Sequence, residues 1–437
     1  MIDGENGPTY NGDALTILDD KELNPYLFQN MQKALYALGL DNQASSLESN
    51  CSYYKFLPKN IEEVYIVLEM ESENIYVEDY PLEYEVVEYG AFYMDIEALD
   101  TMIKPYYVLV YNDAIFNSNI THTLLEKGYI PDERDPYFEE IEFKAHQLIG
   151  LIDSEESYDK AGNNFFKPNG YVKAWDNELG NYTPVFYKSL VARKGFKTVY
   201  MRTSSNGYFT SNKKFLQRAK LKIRWWNQEF RITGHSLSDY LGWTTKNNLG
   251  ASYNINRDAK GAWSKSTINN AFHLFNEYAL NNGIQTIDIL HFWVPVTGNS
   301  LSGSTVMKKR LNINNGLASF AVGLVNDLGL RLWNPFKNSS ILPSYRRVQN
   351  LMFHELAHAS QAIACGSNYW QNVVDGEQQN ISNTIFGAQD PYRDGLHPTP
   401  VLAGYIGLAE GWAEFLGDNI SNYYYNRTLS NIEVITH

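Results

Sequence analysis

The residues with the clearest chemical spacing form the sequence His-Glu-Leu-Ala-His at 354–358. They lie in an apolar run without proline that begins near Tyr345 and stops at Gly366, a pattern typical of a helix with a glycine at its C-terminal cap. Residues four apart share one face of a helix, so His354 and His358 would direct both imidazoles to one point. Two neutral imidazoles suit a zinc ion, and they fill only part of its coordination shell.

Glu355 lies next to the first histidine, on the flank of the same helical face. A carboxylate in that place can take a proton from a water molecule that attacks a carbonyl, and can then pass the proton to the leaving amine. A random chain of this length contains His-Glu-x-x-His on the order of once in a hundred times. The spacing therefore favours a metal-dependent hydrolase. The alternative is a core helix whose histidines are hydrogen-bonded by neighbours.

A third protein ligand must come from elsewhere in the chain. The extended pattern with a glycine and a third histidine is absent, because Gln361 and Ala364 occupy those two positions. Downstream, Glu410 and Glu414 lie four residues apart in a second apolar run with helical period. Carboxylates on an apolar face need a partner, and a metal ion supplies one. The alternative is an exposed acidic pair on a surface helix.

The His-Glu-Leu-Ala-His motif and the later Glu-Gly-Trp-Ala-Glu motif together resemble the gluzincin zinc metallopeptidases, whose third ligand is a glutamate on a following helix. This resemblance implies that His354, His358 and Glu410 bind one Zn²⁺ ion. It also implies that Glu355 is the general base and that Glu414, one turn after the third ligand, orients a ligand histidine. It covers roughly residues 270–420.

The oxyanion of a tetrahedral intermediate needs a hydrogen-bond donor, usually a tyrosine or a histidine in such sites. The sequence does not choose among the candidates near the two motifs, which are His397, Tyr392, Tyr405 and the tyrosine cluster 423–425. The stretch between the motifs is longer than in compact gluzincins. We therefore expect an inserted loop beside the site, and the class of substrate stays open.

Three segments of different pattern must position these residues, and together they predict a multi-domain α+β protein. Residues 1–160 are predicted to form an N-terminal α+β region of unknown role. Residues 165–235 show short strands separated by turn signals and predict a small all-β sandwich. Residues 236–437 are predicted to form a mixed α/β, zincin-like catalytic domain. The elements expected within them include helices at 30–40, 137–152 and 267–281, strands with turns over 53–86, and strands at 105–111 and 287–296.

The middle segment contains Gly-Tyr-Val at 170–172 and Thr-Ser-Ser-Asn-Gly-Tyr-Phe at 203–209. These sequences resemble the carboxypeptidase-regulatory-like (prealbumin-like) β-sandwich, which implies a spacer or docking role without chemistry. The segment is rich in basic residues between Lys188 and Arg231. We expect them on solvated strand edges, where they discourage aggregation. A face for a binding partner is the alternative.

The composition of the 437-residue chain excludes several classes of protein. A hydrophobic content of 44% and a charged content of 20% are typical of globular proteins. The net charge of −14 argues against a nucleic-acid partner, because neutralising phosphates needs a basic face. Cys51 and Cys365 lie far apart, which excludes a thiol-based metal site and a disulfide framework. No apolar run approaches 18 residues, so no transmembrane segment is expected.

These patterns favour a zinc-dependent peptidase that hydrolyses a peptide or protein substrate. A strand ahead of the His-Glu-x-x-His helix would hold the substrate as an added strand. We expect the protein to be extracytoplasmic, secreted or surface-anchored, with its leader absent from this sequence, and a cytoplasmic protein is the alternative. One alternative is a catalytically inactive binding or adhesion protein with a structural zinc site, which the 14% aromatic content fits. Another is a zinc hydrolase of glycopeptides or other amides, with a glycan or glycoprotein as partner.

Overall fold

The structure is a computed structural model. It describes residues 9–93, 103–112, 114–117, 119–155, 158, 164–225, 230–233, 237–287, 290–293, 302–306, 329–333, 344–387 and 400–435. In this part of the chain, seven α-helices combine with several mainly antiparallel sheets. The predicted mixed α+β class is therefore confirmed.

The chain divides into two compact units. The first unit comprises Met1–Ala174, Pro184–Gln228 and His235–Trp263, and the second comprises Trp175–Thr183, Glu229–Gly234 and Ser264–His437. The first unit thus contains both the N-terminal region and most of the segment predicted as a sandwich. Three domains with boundaries near residues 160 and 235 stay a prediction.

The described residues of the first unit form four helices and most of the strands. Its helices are α1 Phe28–Ala37, α2 Asp41–Ser45, α3 Ile61–Glu69 and α4 Phe138–Leu148. Its strands up to residue 216 are β1 Thr9–Leu15, β2 Ile17–Lys21, β3 Cys51–Phe56, β4 Ile75–Glu78, β5 Tyr84–Phe92, β6 Tyr106–Tyr111, β7 His122–Gly128, β8 Phe165–Phe166, most of β9 Asn169–Asp176, β11 Ser189–Lys194, β12 Lys197–Arg202, β13 Tyr208–Thr210 and β14 Phe215–Leu216. The strand β10 Asn181–Pro184 lies mainly in the second unit. The later strands are β15 Arg218–Arg224, β17 Ser238–Thr245 and β18 Ser252–Ile255. Helices near 30–40 and 137–152 and a strand at 105–111 are confirmed.

Helix α3 corrects the prediction of strands with turns over residues 53–86. The Asn60 side chain accepts a hydrogen bond of 2.9 Å from the backbone N–H of Glu63, which caps the helix N-terminus. Glu62 and Glu63 lie in the first turn, where negative charge is favourable. Val64 and Val67 lie three residues apart and are both buried, so they form one buried face of the helix. The cap and the helical spacing outweigh the β-propensity of the valines and isoleucines in this stretch.

Two four-stranded antiparallel sheets of the first unit have the orders β4-β6-β3-β7 and β12-β11-β15-β17. β17 pairs with β15, and β18 pairs with β9, which also pairs with β13. The paired strands therefore continue past residue 235, because β15 has its partner in the segment 238–245. The regulatory-like sandwich stays a prediction.

Most of the described basic residues of this region are buried, so the prediction that they lie on solvated strand edges is wrong for these residues. Arg202, Lys213 and Arg218 are exposed, as that prediction expects. Lys222 Nζ lies 2.9 Å from a Glu78 carboxylate oxygen, and Arg224 Nη2 lies 2.6 Å from Glu71. These side chains are almost completely buried. The carboxylates come from a distant part of the chain, so the local sequence pattern of β15 does not predict these ion pairs. Buried charges persist when they are paired in this way.

Among its described residues, the second unit has three long helices and a small sheet. Most of α5 Lys260–Asn281 belongs to it, together with α6 Tyr345–Gly387 and α7 Pro400–Ile435. Its sheet has the order β16 Phe230–Thr233, β19 Leu290–Trp293, β21 Gly329–Trp333 and β20 Ser302–Val306. The first three strands are parallel and β20 is antiparallel to β21. The helix expected at 267–281 and a strand within 287–296 are confirmed.

Helix α6 is broken at Gly366, whose φ of 79° and ψ of 176° are not helical. The break defines a first arm, residues 345–365, and a second arm, residues 367–387. Glycine reaches a positive φ without a steric cost, which explains why the helix axis changes at this residue. The predicted end of the His-Glu-x-x-His helix is therefore confirmed.

Polar contacts hold the start of the first arm and the later part of α7 within the second unit. The backbone N–H of Tyr345 donates to Asn177 over 2.8 Å, and the Tyr345 hydroxyl accepts from Asn270 over 2.9 Å. The Tyr425 hydroxyl donates to Asp176 over 3.1 Å. Among the described residues, no helix has both the length and the apolar character needed to cross a membrane.

Candidate metal centre

Two helices bring three of the predicted site residues together. The first arm of α6 carries His354 and His358 one turn apart, and α7 carries Glu410. The His354 Nε2 atom lies 3.1 Å from His358 Nε2 and 3.3 Å from a Glu410 carboxylate oxygen. The other Glu410 oxygen lies 3.5 Å from His358 Nε2. In the described part of the chain, these three side chains are the group of possible ligands that converges closely enough to hold a metal ion.

The separations fit the coordination shell of a small divalent ion. A tetrahedral ion with bonds of 2.0–2.1 Å separates its ligand atoms by about 3.3 Å. The two imidazole nitrogens are 3.1 Å apart, and they lie 3.3 and 3.5 Å from different oxygens of the Glu410 carboxylate, close to that value. One ligand atom from each of the three side chains lies within 4.8 Å of the others. Imidazole nitrogen with carboxylate oxygen is a donor set that zinc accepts. The residues present therefore fit the ion that the motif predicts.

The charges around these ligands favour a cation. Burial alone would raise the pKa of Glu410, but hydrogen bonds and charge from His354 and His358 hold that pKa well below its usual value. Burial opposes protonation of His354, yet the Glu410, Glu355 and Glu414 carboxylates raise the pKa of this imidazole. The centre thus attracts positive charge, and a bound metal ion would take the place of the proton whose binding to His354 these carboxylates favour.

Two further acidic residues lie beside the ligands. Glu355 is only 4% exposed, and its carboxylate is close enough to His354 to influence the pKa of the imidazole. A Glu414 oxygen lies 3.5 Å from His354 Nδ1, although 73% of the Glu414 side chain is exposed. The Nδ1 atom of His358 is buried and has no hydrogen-bond partner among the described residues. Only one of the two imidazoles therefore has a described carboxylate near its second nitrogen.

The candidates for the oxyanion partner have different outcomes. His397 and Tyr392 lie outside the described residues. Tyr405 lies on α7, five residues before Glu410 and about 140° around the helix axis from it. Its ring contacts the Tyr369 ring, with centroids 5.2 Å apart. The cluster 423–425 starts 13 residues after Glu410, which is about 20 Å along the helix, so this candidate is wrong. His397, Tyr392 and Tyr405 therefore stay candidates for the oxyanion partner.

The second arm of α6 brings an aromatic residue to the centre that the sequence analysis did not single out. The Trp370 ring lies 5.7 Å from the His358 ring and is buried. The Gln361 amide, one turn after His358, donates to the Tyr369 hydroxyl over 3.3 Å. The sequence does indicate the helix break at Gly366, but the direction of the chain after the break depends on tertiary packing. The helical period therefore does not place Trp370.

Comparisons with known proteins found no match: no family model, no curated protein and no solved structure matches this chain. The candidate centre thus depends on the chemistry and geometry of this chain's own residues. Membership of the gluzincins stays a prediction.

Proposed function

We propose that the protein is a zinc-dependent peptidase, with the ion held by His354, His358 and Glu410. One observation carries the proposal: two imidazole nitrogens and a carboxylate from two helices converge at 3.1–3.5 Å, the spacing of ligands around a tetrahedral ion. Their surroundings attract positive charge, and Glu355 lies beside them.

The openness of the centre supports catalysis over a purely structural zinc site. Structural zinc sites have four protein ligands, whereas catalytic sites have three and leave one position for water or substrate. The described residues supply three ligands. About 46% of the Glu410 side chain and 21% of the His354 side chain are exposed, so water can reach the ligands from this side. These features favour a hydrolase over a binding protein with a structural zinc site.

The bound ion and Glu355 would have different roles in hydrolysis. A bound zinc ion would supply Lewis-acid polarisation of the attacking water and of the substrate carbonyl. Glu355 would accept the proton of the attacking water and then donate it to the leaving amine. Its burial keeps the carboxylate in place on the first arm and away from bulk solvent.

The small sheet of the second unit supports a peptide as the substrate. Among its described strands, β20 is at an edge and antiparallel to its neighbour, and its backbone approaches α6 within 8 Å at several positions. An edge strand offers backbone hydrogen-bonding groups to an extended chain. A peptide bound in this way would lie near the helix that carries the two histidines. Glycopeptides and other amides are the alternative substrates.

Elemental analysis of the purified chain, followed by digestion of a peptide library with and without a chelator, tests the proposal. We expect one zinc per chain and hydrolysis that the chelator abolishes. Glu355→Gln should retain zinc and lose hydrolysis, His354→Ala should lose both, and exposed Glu62→Gln in α3 should lose neither. Chelator-resistant hydrolysis or a fully active Glu355→Gln variant would refute the mechanism. Zinc binding without any hydrolysis would favour the binding-protein alternative.

A further inference from the structure

Helix α7 packs closely against the first arm of α6 at a glycine. A Cβ atom added to Gly417 would lie 3.2 Å from the backbone nitrogen of His354 and 3.5 Å from the carbonyl oxygen of Asn350. The neighbouring Asp418 accepts a hydrogen bond of 3.2 Å from the Asn350 side chain. The two helix backbones therefore meet at the residue that carries the first imidazole.

A second close approach lies on the other side of Glu410. A Cβ added to Gly376, in the second arm, would lie 2.8 Å from the Ile406 side chain and 3.4 Å from Leu402. Glu410 is located between Ile406 and Gly417 on α7. The two contacts thus bracket the carboxylate, one against each arm of α6.

The two contacts differ in how they would respond to a larger residue. The Ile406 atom closest to Gly376 is the end of a flexible side chain, which can turn away. The atoms closest to Gly417 are backbone atoms inside a helix, so α7 itself would have to move by a few tenths of an ångström. Metal sites hold their ligand distances within about 0.2 Å, so a movement of that size matters.

Other glycines of α7 provide an internal comparison. A Cβ added to Gly404, Gly407 or Gly411 would meet no atom of the described residues within 4 Å. Glycine in the middle of a helix lowers its stability relative to alanine. At Gly407 nothing in the packing offsets that cost, whereas at Gly417 the lack of a side chain allows the helices to touch.

We infer that Gly417 is a positioning residue for the metal centre, because it sets the helix separation at which Glu410 reaches the two imidazoles. This inference rests on the proposed function, since it concerns the same ligands. Gly417 lies seven residues after Glu410, about two helical turns, and therefore on nearly the same face of α7. A displacement of the helix at Gly417 is thus transmitted to the carboxylate.

The matched pairs Gly417→Ala with Gly407→Ala, and Gly417→Val with Gly407→Val, test the inference in the full chain. Zinc affinity is measured by competition with a chromophoric chelator, and the visible spectrum of the cobalt-substituted protein reports ligand geometry. Thermal unfolding in chelator reports the fold without metal. We expect Gly417→Ala to weaken zinc binding about tenfold. Gly417→Val should weaken it further and alter the cobalt spectrum, and both Gly407 variants should match the wild type in zinc affinity and in cobalt spectrum.

The outcomes separate this inference from the proposed function. If the wild type binds neither zinc nor cobalt, the proposed function fails. If the wild type binds both and the Gly417 variants keep its affinity and spectrum, the positioning role alone is refuted. Equal losses at Gly417 and Gly407 would also refute it, because a general effect on the helix would then explain the result. Gly417→Ala keeps the test decisive if the valine variant fails to fold.

Discussion

Shortening Glu410 to aspartate is the sharpest test of the metal centre. The change withdraws the carboxylate by one carbon–carbon bond, about 1.5 Å. In the structure its oxygens lie 3.3 and 3.5 Å from the two imidazole nitrogens, a spacing that matches a shared ion. α7 cannot follow the carboxylate inward, because the contact at Gly417 already brings the helix backbones together. A gap of 1.5 Å is several times the tolerance of a metal ligand, about 0.2 Å.

We therefore expect Glu410→Asp to lower zinc affinity by at least about 100-fold, beyond the 10–100-fold range that is typical when a group outside the ligand set is changed. Glu410→Gln keeps the length of the side chain and removes its charge, so it distinguishes the effect of side-chain length on zinc affinity from the effect of charge. Glu62→Asp makes the same shortening at an exposed position of α3. Competition titration with a chromophoric chelator measures all four proteins. Wild-type affinity in Glu410→Asp would mean that Glu410 is only a hydrogen-bond partner of the histidines.

Two further predictions concern the first unit. Burial lowers the pKa of Lys194 to about 7 from its usual 10.5, so the unfolded chain binds more protons than the folded chain between these values and stability rises with pH. This group should add about 2 kcal/mol to the free energy of unfolding between pH 7 and pH 9. In urea unfolding, this free energy should rise less steeply with pH in Lys194→Met than in the wild type, whereas the exposed control Lys33→Met should keep the wild-type slope. Equal slopes in Lys194→Met and the wild type would refute the assignment. Removing the α3 cap with Asn60→Ala should cost about 1 kcal/mol in the same assay, whereas Asn60→Asp should cost little because it keeps the acceptor; equal losses in both would exclude the cap as the cause.

Features that depend on local spacing could be predicted from the sequence. The helix that carries His354 and His358, its end at Gly366, and the helical setting of Glu410 all follow from the 3.6-residue period and from glycine at a break. Helix α3 lies in a stretch whose β-branched residues favour strands, and Asn60, which caps the helix, is the local signal of its start. Helix-capping rules applied to the sequence therefore also point to this helix.

Features that depend on distant partners could not be predicted. Lys222 is buried because Glu78, 144 residues earlier in the chain, neutralises it in the folded unit. Trp370 reaches His358 because the chain turns at Gly366, and its sequence position alone does not give that direction. In both cases the environment of a side chain depends on a segment that the local pattern does not contain.

The sequence by itself determined the types of the candidate ligands and the face of each helix on which they lie, because residues four apart on a helix are neighbours whatever surrounds it. Only the tertiary structure decided that the face with Glu410 meets the face with the two histidines, at a distance suited to one ion. That distance depends on how closely two helix backbones pack, and here the absence of a side chain at Gly417 allows the approach. A helical period describes one helix, whereas a metal centre shared by two helices depends on the packing between them.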